Sequence, residues 1–346
     1  MKVWLPYVKT GSGLDVSTEF LSKGLNDKGH EAVLQSFPHA LQYFPWRFRK
    51  VKPPQGTDLI ISSTWNGFAF HRPDKVNITV ERLFVLDPAY RAYRTPGQAV
   101  FHELLVRHFV KRSVRTADAC AAVSRHTARA LAARLAVSEP RTILNAVDTS
   151  FFSPAPWDER LSDFGGRPFR LVFVGNFTRR KGADIMPRIM RELGSGFELS
   201  FTSGLRGGER GRHPNNMHCL GRLSLEDVRA AYRNADALLF PSRIEGMPRA
   251  VMEAMACATP VIAANTSSLP EAVNNGRNGW LCPPDDVAAF AGAIRKLALD
   301  KPGWQRMAEE ARATAVRRFS LERMVDEYLA LAAELQDRRR GLIVAA

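Results

Sequence analysis

Short apolar runs and amphipathic stretches alternate along almost the whole chain. Residues 2–8, 30–34, 58–62, 76–80 and 119–124 are apolar-rich runs of strand length. Near-continuous runs of this kind suit strands buried on both faces of a parallel sheet. Helical patterns lie between them over 16–28, 98–113 and 127–135; Gly29 closes the first and Ser124 caps the third. A second series starts at Phe169, with strands expected at 169–174, 198–202, 237–240 and 260–264. Its helices are expected to end at Asn234, to cover 250–256, and to recur near 286–298, 303–317 and 320–337; Ser224 and Asp227 form a capping pair for the first. Such alternation predicts an α/β protein with parallel sheets. The series are separated by residues 151–168, rich in proline and glycine, which read as an interdomain linker. There is no internal repeat and no low-complexity tract.

Charge adds a second theme. The 346-residue chain has a net charge of +14 and a pI near 10. Residues 1–150 hold 21 Lys and Arg against 12 Asp and Glu, so the excess is mostly N-terminal. Nucleic acid, an anionic membrane surface and an anionic acceptor are all candidate causes. No apolar stretch approaches the ~20 residues a membrane helix needs. The run at residues 1–8 is broken by 9–12 before it could form a secretory leader, so a cytoplasmic protein is expected. Four scattered cysteines, without a C-x-x-C pair, read as buried reduced thiols and not as a metal site.

Residues 37–54, F-P-H-A-L-Q-Y-F-P-W-R-F-R-K-V-K-P-P, place aromatics beside Arg and Lys between prolines. Proline rules out a long regular helix here. The composition suits the headgroup layer of an anionic membrane, and equally a loop whose rings pack on the domain. Arg107, Lys111 and Arg115 share one helical face, the ordinary arrangement of a solvated face. His102 and His108 on the same helix read as packing or surface groups.

The most informative stretch is 240–263, F-P-S-R-I-E-G-M-P-R-A-V-M-E-A-M-A-C-A-T-P-V-I-A, which reads strand, loop, helix, strand. Pro248 falls where a first helical turn would begin. Glu245 and Glu253 stand eight positions apart, roughly 12 Å if every step were helical. Carboxylates grip vicinal hydroxyls, and a helix N-terminus between them offers amides to a diphosphate. That spacing suits a nucleoside-diphosphate sugar. Taken singly, each carboxylate would be an ordinary solvated helix or turn residue.

"PSRIEGMPRAVMEAMACATPVIA" resembles the donor-site signature of the retaining family-four glycosyltransferases, and the likeness extends over most of the chain. It implies a GT-B fold: two Rossmann-like domains facing a cleft, with a C-terminal helix crossing back to the first. The domains would be 1–150 (acceptor), 151–168 (linker), 169–319 (donor), 320–337 (crossover helix) and 338–346 (tail). It implies that Glu245 reads the transferred sugar and Glu253 the ribose. After the strand at 169–174, Gly175-Asn176-Phe177-Thr178-Arg179-Arg180-Lys181-Gly182 looks like the diphosphate loop, with Lys181 at the family's lysine. Asn176 stands where many members carry Arg, so Arg179 or Arg180 is expected to restore that charge, Arg180 ahead of Arg179. Gly175, Asn176, Gly246, Met247 and Pro248 complete the expected donor contacts, with Arg222 and Leu223 near the nucleobase. Gly11-Ser12-Gly13 lies at the cleft in relatives, and Glu81-Arg82 replaces a His-containing loop. Ser267-Ser268 replaces a glycine pair, which works only if no positive φ is needed there. Residues 143–148, I-L-N-A-V-D, match the end of the family's first domain, and the Gly/Arg-rich 203–216 is expected to be a loop.

The function so implied is retaining transfer of a hexosyl-type sugar from a UDP- or GDP-sugar to an acceptor hydroxyl. A lipid-linked or surface-polysaccharide intermediate is the expected acceptor. No metal and no cofactor are expected, because the nucleotide sugar is itself a substrate. Peripheral contact with the inner membrane face is expected, and no nucleic acid. The alternatives are a nucleotide-sugar epimerase or phosphorylase-like enzyme of the same fold, or a non-catalytic basic nucleic-acid-binding protein.

Overall fold

A computed structural model describes residues 1–11, 13–157, 165–204 and 213–341. Ser12, much of the segments 151–168 and 203–216, and the tail beyond 341 lie outside the described residues. The chain divides into two compact units, Met1–Ala146 with Leu321–Ala346, and Val147–Ser320.

The first unit is built on a six-stranded parallel sheet of order β2-β1-β3-β4-β5-β6. Its strands are β1 (Lys2–Val8), β2 (Glu31–Phe37), β3 (Leu59–Ser63), β4 (Val76–Glu81), β5 (Ala119–Ala122) and β6 (Arg141–Thr142). The near-continuous apolar runs are explained by burial: β3 and β4 are enclosed along almost their whole length. The helix Gly13–Asp27 lies against the helix Leu321–Arg339, where a Cβ on Gly24 would come within 2.7 Å of Val325. Met324, Val325, Tyr328, Leu331 and Leu335 are buried along the latter helix. Arg323 donates to the carbonyls of Leu144 and Asn145 at 2.7 and 3.2 Å.

One expected helix and two of the cysteines depart from expectation, while the 37–54 segment has no long helix. Residues 98–113 are not one α-helix: Pro96–Phe101 is α-helical, His102–Val106 is a π-helical turn, and Arg107–Thr116 is α-helical again. Residues 37–54 contain two 3₁₀ helices, His39–Tyr43 and Pro45–Lys50. Pro45 suits the first position of such a turn, and buried Phe48 stacks on Phe70 at 4.8 Å. Of the four cysteines, Cys219 is exposed and Cys120 half-buried, so only Cys257 and Cys282 fit the buried-thiol reading.

The second unit carries a six-stranded parallel sheet of order β12-β11-β10-β7-β8-β9. These strands are β7 (Phe169–Phe173), β8 (Phe197–Thr202), β9 (Met217–Gly221), β10 (Ala237–Phe240), β11 (Val261–Ala264) and β12 (Gly279–Cys282). Numbered within the unit, the order is 3-2-1-4-5-6, the Rossmann order, which reverses direction between β7 and β10. Ligands of such sheets sit outside the carboxyl ends of the strands at that reversal. Residues 151–157 are bound into this unit: Phe152 is fully buried, and Arg312 Nη1 lies 3.0, 2.9 and 2.8 Å from the carbonyls of Thr149, Phe152 and Ala256. Trp304 is also fully buried, and its indole donates to the Asp236 carbonyl at 2.7 Å.

One half-buried group makes the first unit acid-sensitive. His71 lies 2.8 Å from Thr116 Oγ1 and 3.3 Å from Ser62 Oγ, hydroxyls that suit a neutral ring. Burial, opposed by Asp118, pulls its pKa down to about 4. The unfolded chain takes up a proton near pH 6.5 and the folded one does not. Stability from this group is therefore complete above pH 6.5 and is lost as the pH falls towards about 4. The loss should reach up to about 3 kcal/mol. Urea unfolding of wild type and His71→Gln between pH 4 and 7 checks this; parallel profiles would refute it.

Candidate active site

The reversal point of the second sheet gathers most of the predicted donor residues, Arg222 and Leu223 excepted. After β7 the chain turns at Gly175, whose φ of +151° excludes a side chain with little strain. Thr202 from β8 clamps this glycine, its hydroxyl accepting from Gly175 N at 2.8 Å and donating to Gly175 O at 2.9 Å. Asn176 follows, half-buried. Arg179–Lys181 form one 3₁₀ turn closed by Gly182, at φ +82°. A Cβ on Gly182 would meet the Pro241 carbonyl oxygen at 2.6 Å, so only glycine lets the cationic turn lie against the end of β10.

From β10 comes the matching loop. Pro241, Ser242 and Ile244 to Pro248 are buried. Arg243 fastens the loop to the cationic turn, pairing with Asp184 at 2.7 and 2.9 Å and donating to the Arg179 carbonyl. Glu245, 7% exposed, projects one oxygen into a nest of donors. Its Oε1 lies 2.7 Å from Lys181 Nζ, 3.0 Å from Arg180 Nη1 and 2.6 Å from Ser242 Oγ. Arg180 also donates to the Ile244 carbonyl at 2.6 Å, and Lys181 lies over the Phe240 ring at 4.9 Å. Burial alone would raise the Glu245 pKa, but Lys181 and Arg180 outweigh it and hold the carboxyl below its ordinary value. Burial pulls Lys181 downward, with Glu245 opposing.

Pro248 is the N-cap of the helix Arg249–Ala256 and not its first residue, with extended φ and ψ of −76° and 124°. Glu253, 5% exposed, is held at both oxygens: Arg249 Nη2 is 2.6 Å from Oε1, and the Tyr232 hydroxyl donates to Oε2 at 3.1 Å. Burial, reinforced by the Glu253 carboxylate, raises the Tyr232 pKa well above its usual value. Ser267 corrects another expectation. It adopts a positive φ of +49°, the conformation a glycine takes easily, and its hydroxyl accepts from Glu245 N at 3.0 Å. Serine thus meets the backbone demand at some strain and adds a brace for Glu245.

Other predicted residues fall elsewhere. Leu223 lines a groove of about 360 Å³ with Leu220, Glu198 and Asp227; neither Glu245, Glu253 nor Lys181 lines it. Arg222 is exposed. In the first unit the amides of Thr10 and Gly11 already donate to Asp15 at 3.1, 3.0 and 2.6 Å, so the glycine loop spends them internally and does not offer them to a ligand. Gly11 has a φ of +69°, and Gly13 begins the following helix. Glu81, 2% exposed, accepts from Thr64 Oγ1 at 2.7 Å and from Leu83 N at 3.1 Å. Burial pushes its pKa up. Burial also lowers that of Arg82, against the influence of Tyr328, Glu81 and Asp15. Glu81 is therefore an internal brace in this state. His102 is buried and His108 exposed. Among the described residues, no group of three or more His, Cys, Asp or Glu is placed to hold a metal ion.

Ser242, Tyr232 and Arg249 are candidate-site residues that the sequence reading missed, and for Ser267 it missed the bond to Glu245. Only Arg249 had a signal, its i,i+4 spacing to Glu253.

Two parallel six-stranded sheets, each flanked by helices in its own unit, give the chain an α/β, GT-B fold. Sucrose-phosphate synthase from Thermosynechococcus elongatus superposes with a TM-score of 0.80 at 17% identity, over 98% of this chain and 100% of that one. HepE from Anabaena, solved with UDP-glucose, does so with a TM-score of 0.72 at 16% identity, over 96% and 99%. Residues 168–300, within the second unit, match the family "Glycosyl transferases group 1". Glycogen synthase from Mycobacterium tuberculosis is 29% identical over 188 residues, 51% of this chain and 44% of that protein. The chain thus spans less than half the length of that relative. These findings meet the resemblance to family-four, GT-B-type glycosyltransferases.

Proposed function

We propose that the protein transfers a hexosyl unit, with retention, from a UDP- or GDP-sugar to an acceptor hydroxyl. The observation that carries this reading is the convergence of Lys181, Arg180 and Ser242 on one oxygen of Glu245, at the reversal point of a Rossmann sheet. The UDP-glucose complex of HepE supports a nucleotide-sugar donor for a fold of this kind.

Glu245 pairs with Lys181 and Arg180 and offsets one of their two charges, so the cluster keeps a net positive charge. An entering diphosphate takes its place on the two cations, and Glu245 turns to the sugar hydroxyls. Lys181 and Arg180 then stabilise the charge that develops on the leaving diphosphate, without calling on a metal. The departing phosphate oxygen takes the acceptor's proton as the acceptor attacks from the same face. Tyr232 and Arg249 hold Glu253 so that its remaining lone pairs face the ribose. The acceptor is a lipid-linked sugar of surface-polysaccharide assembly, in keeping with the basic first unit.

The test is a thermal-shift panel of UDP, GDP, ADP, CMP and dTDP. A nucleotide at 100 times its Kd should stabilise by about 2.7 kcal/mol. Glu253→Gln, which keeps a partner for Tyr232, should lose most of that gain. Stabilisation by no nucleotide, or equal stabilisation of the variant, would defeat this donor site. Release of nucleotide in proportion to acceptor separates transfer from an epimerase or phosphorylase-like reaction.

A further inference from the structure

The first unit leaves a group of large apolar side chains in water. In the 3₁₀ segment Pro45 and Phe48 are plugged into the domain, while Tyr43, Phe44 and Trp46 are 42%, 48% and 53% exposed. Phe44 and Trp46 meet edge to face at 5.4 Å. On the helical stretch Pro96–Thr116 the inner face is His102, Val106, Phe109, Val110 and Ser113. The π-helical turn puts two consecutive leucines outside, and Val100, Leu104 and Leu105 are 60%, 69% and 44% exposed. Tyr43 packs on Phe101 at 5.3 Å, so the two segments present one surface.

Cations follow both segments. Residues 38–52 and 96–116 contain eight Lys and Arg and a single carboxylate, Glu103. That carboxylate is already paired, 2.5 Å from Arg134 and 3.5 Å from Arg94. Aromatics and leucines beside unopposed cations match one partner well: the interface of an anionic bilayer, where rings and aliphatic chains reach the acyl boundary and Lys and Arg meet lipid phosphates. Nucleic acid would use the cations but has no place for a leucine pair on an outer helix face. A two-fold pairing of this surface with a second copy would set its eight cations against the same eight.

We infer that Tyr43–Lys50 and Val100–Arg112 form the face by which the first unit docks on an anionic membrane. The inference gives the lipid-linked acceptor reading its location and rests on that reading for its purpose, while its geometry stands apart from the donor site.

The experiment is co-sedimentation of the full chain with phosphatidylcholine vesicles, with and without about one third phosphatidylglycerol. Binding should need the anionic lipid and fall in high salt, by about fivefold for each cation replaced among Arg47, Arg107 and Arg112. Leu104→Glu with Leu105→Glu should abolish it. Trp46→Phe should remove a blue shift of tryptophan emission on binding. The nucleotide thermal shift is recorded on the same samples. If it persists while the leucine variant no longer sediments, docking and donor binding are separate and the inference holds. Wild type left in solution at low salt would overturn it. So would equal sedimentation of the leucine variant, tighter capture by RNA that ignores both leucines, or a dimer that both leucines abolish.

Discussion

Lys181→Ala should lower the rate of transfer by about 10²–10³-fold while leaving the protein folded. Lys181 is the cation nearest Glu245 Oε1, at 2.7 Å, and the proposed chemistry asks it to meet the charge on the leaving diphosphate. Its loss leaves Glu245 with Arg180 and Ser242, so the carboxylate stays solvated by donors and the fold is spared. The Glu245 carboxyl, held low chiefly by Lys181 against burial, should titrate at higher pH in the variant. Lys181→Arg should recover part of the rate. Initial rates of nucleotide release at saturating donor, set beside nucleotide Kd from thermal shift, separate turnover from binding. A rate within threefold of wild type would remove Lys181 from the chemistry.

The second large effect is on stability. Asp236 precedes β10, and its side chain is 4% exposed. It accepts from Arg167 Nη1 and Nη2 at 2.7 and 2.9 Å and from Arg170 N at 2.7 Å. This fork fastens the approach to β7 against β10, the two strands that meet at the reversal point. Asp236→Ala strips the carboxylate from a largely buried guanidinium, which keeps the Pro168 carbonyl at 3.0 Å, and from the Arg170 amide, at a cost of about 3–5 kcal/mol. For a unit of this size that corresponds to a transition roughly 6–20 °C lower. Calorimetry, which resolves the transitions of separate units, is the measurement. A shift under about 2 °C would show that water replaces the carboxylate without loss. Asp236→Asn, which keeps one acceptor, should fall between.

What could be read from the sequence follows the range of the forces involved. The strands announced themselves because parallel strands are apolar on both faces, and each expected run of the second unit overlaps an observed strand, from Phe169–Phe173 to Val261–Ala264. The Ser224–Asp227 capping box was legible because it closes within four residues. The π-helical turn at His102–Val106 was not, since nothing in a helical pattern marks an extra residue per turn. The 3₁₀ turns in 37–54 were hidden because proline argues only against longer helices. At the site, the spacing of Glu245 and Glu253 became informative only through the family resemblance, which also pointed to Lys181. The contacts Lys181–Glu245 and Tyr232–Glu253 join segments that only the sheet brings together. The Ser267 brace was hidden because it depends on a backbone angle that serine seldom adopts.

The assignment of Leu321–Arg339 to the first unit has a consequence for biosynthesis. A ribosome makes the six strands of that unit before residues 147–320, yet the helix that covers Gly24 and carries Val325, Tyr328 and Leu331 emerges only after them. At about 5–20 residues per second, on the order of ten seconds or more pass while residues 147–320 are made. During that delay the nascent first unit exposes the apolar surface that the helix will cover, an invitation to chaperones. The second unit, continuous in the chain, can close as soon as it clears the exit tunnel. A premature stop near Ser320 would therefore spare the later-made unit and cripple the earlier one.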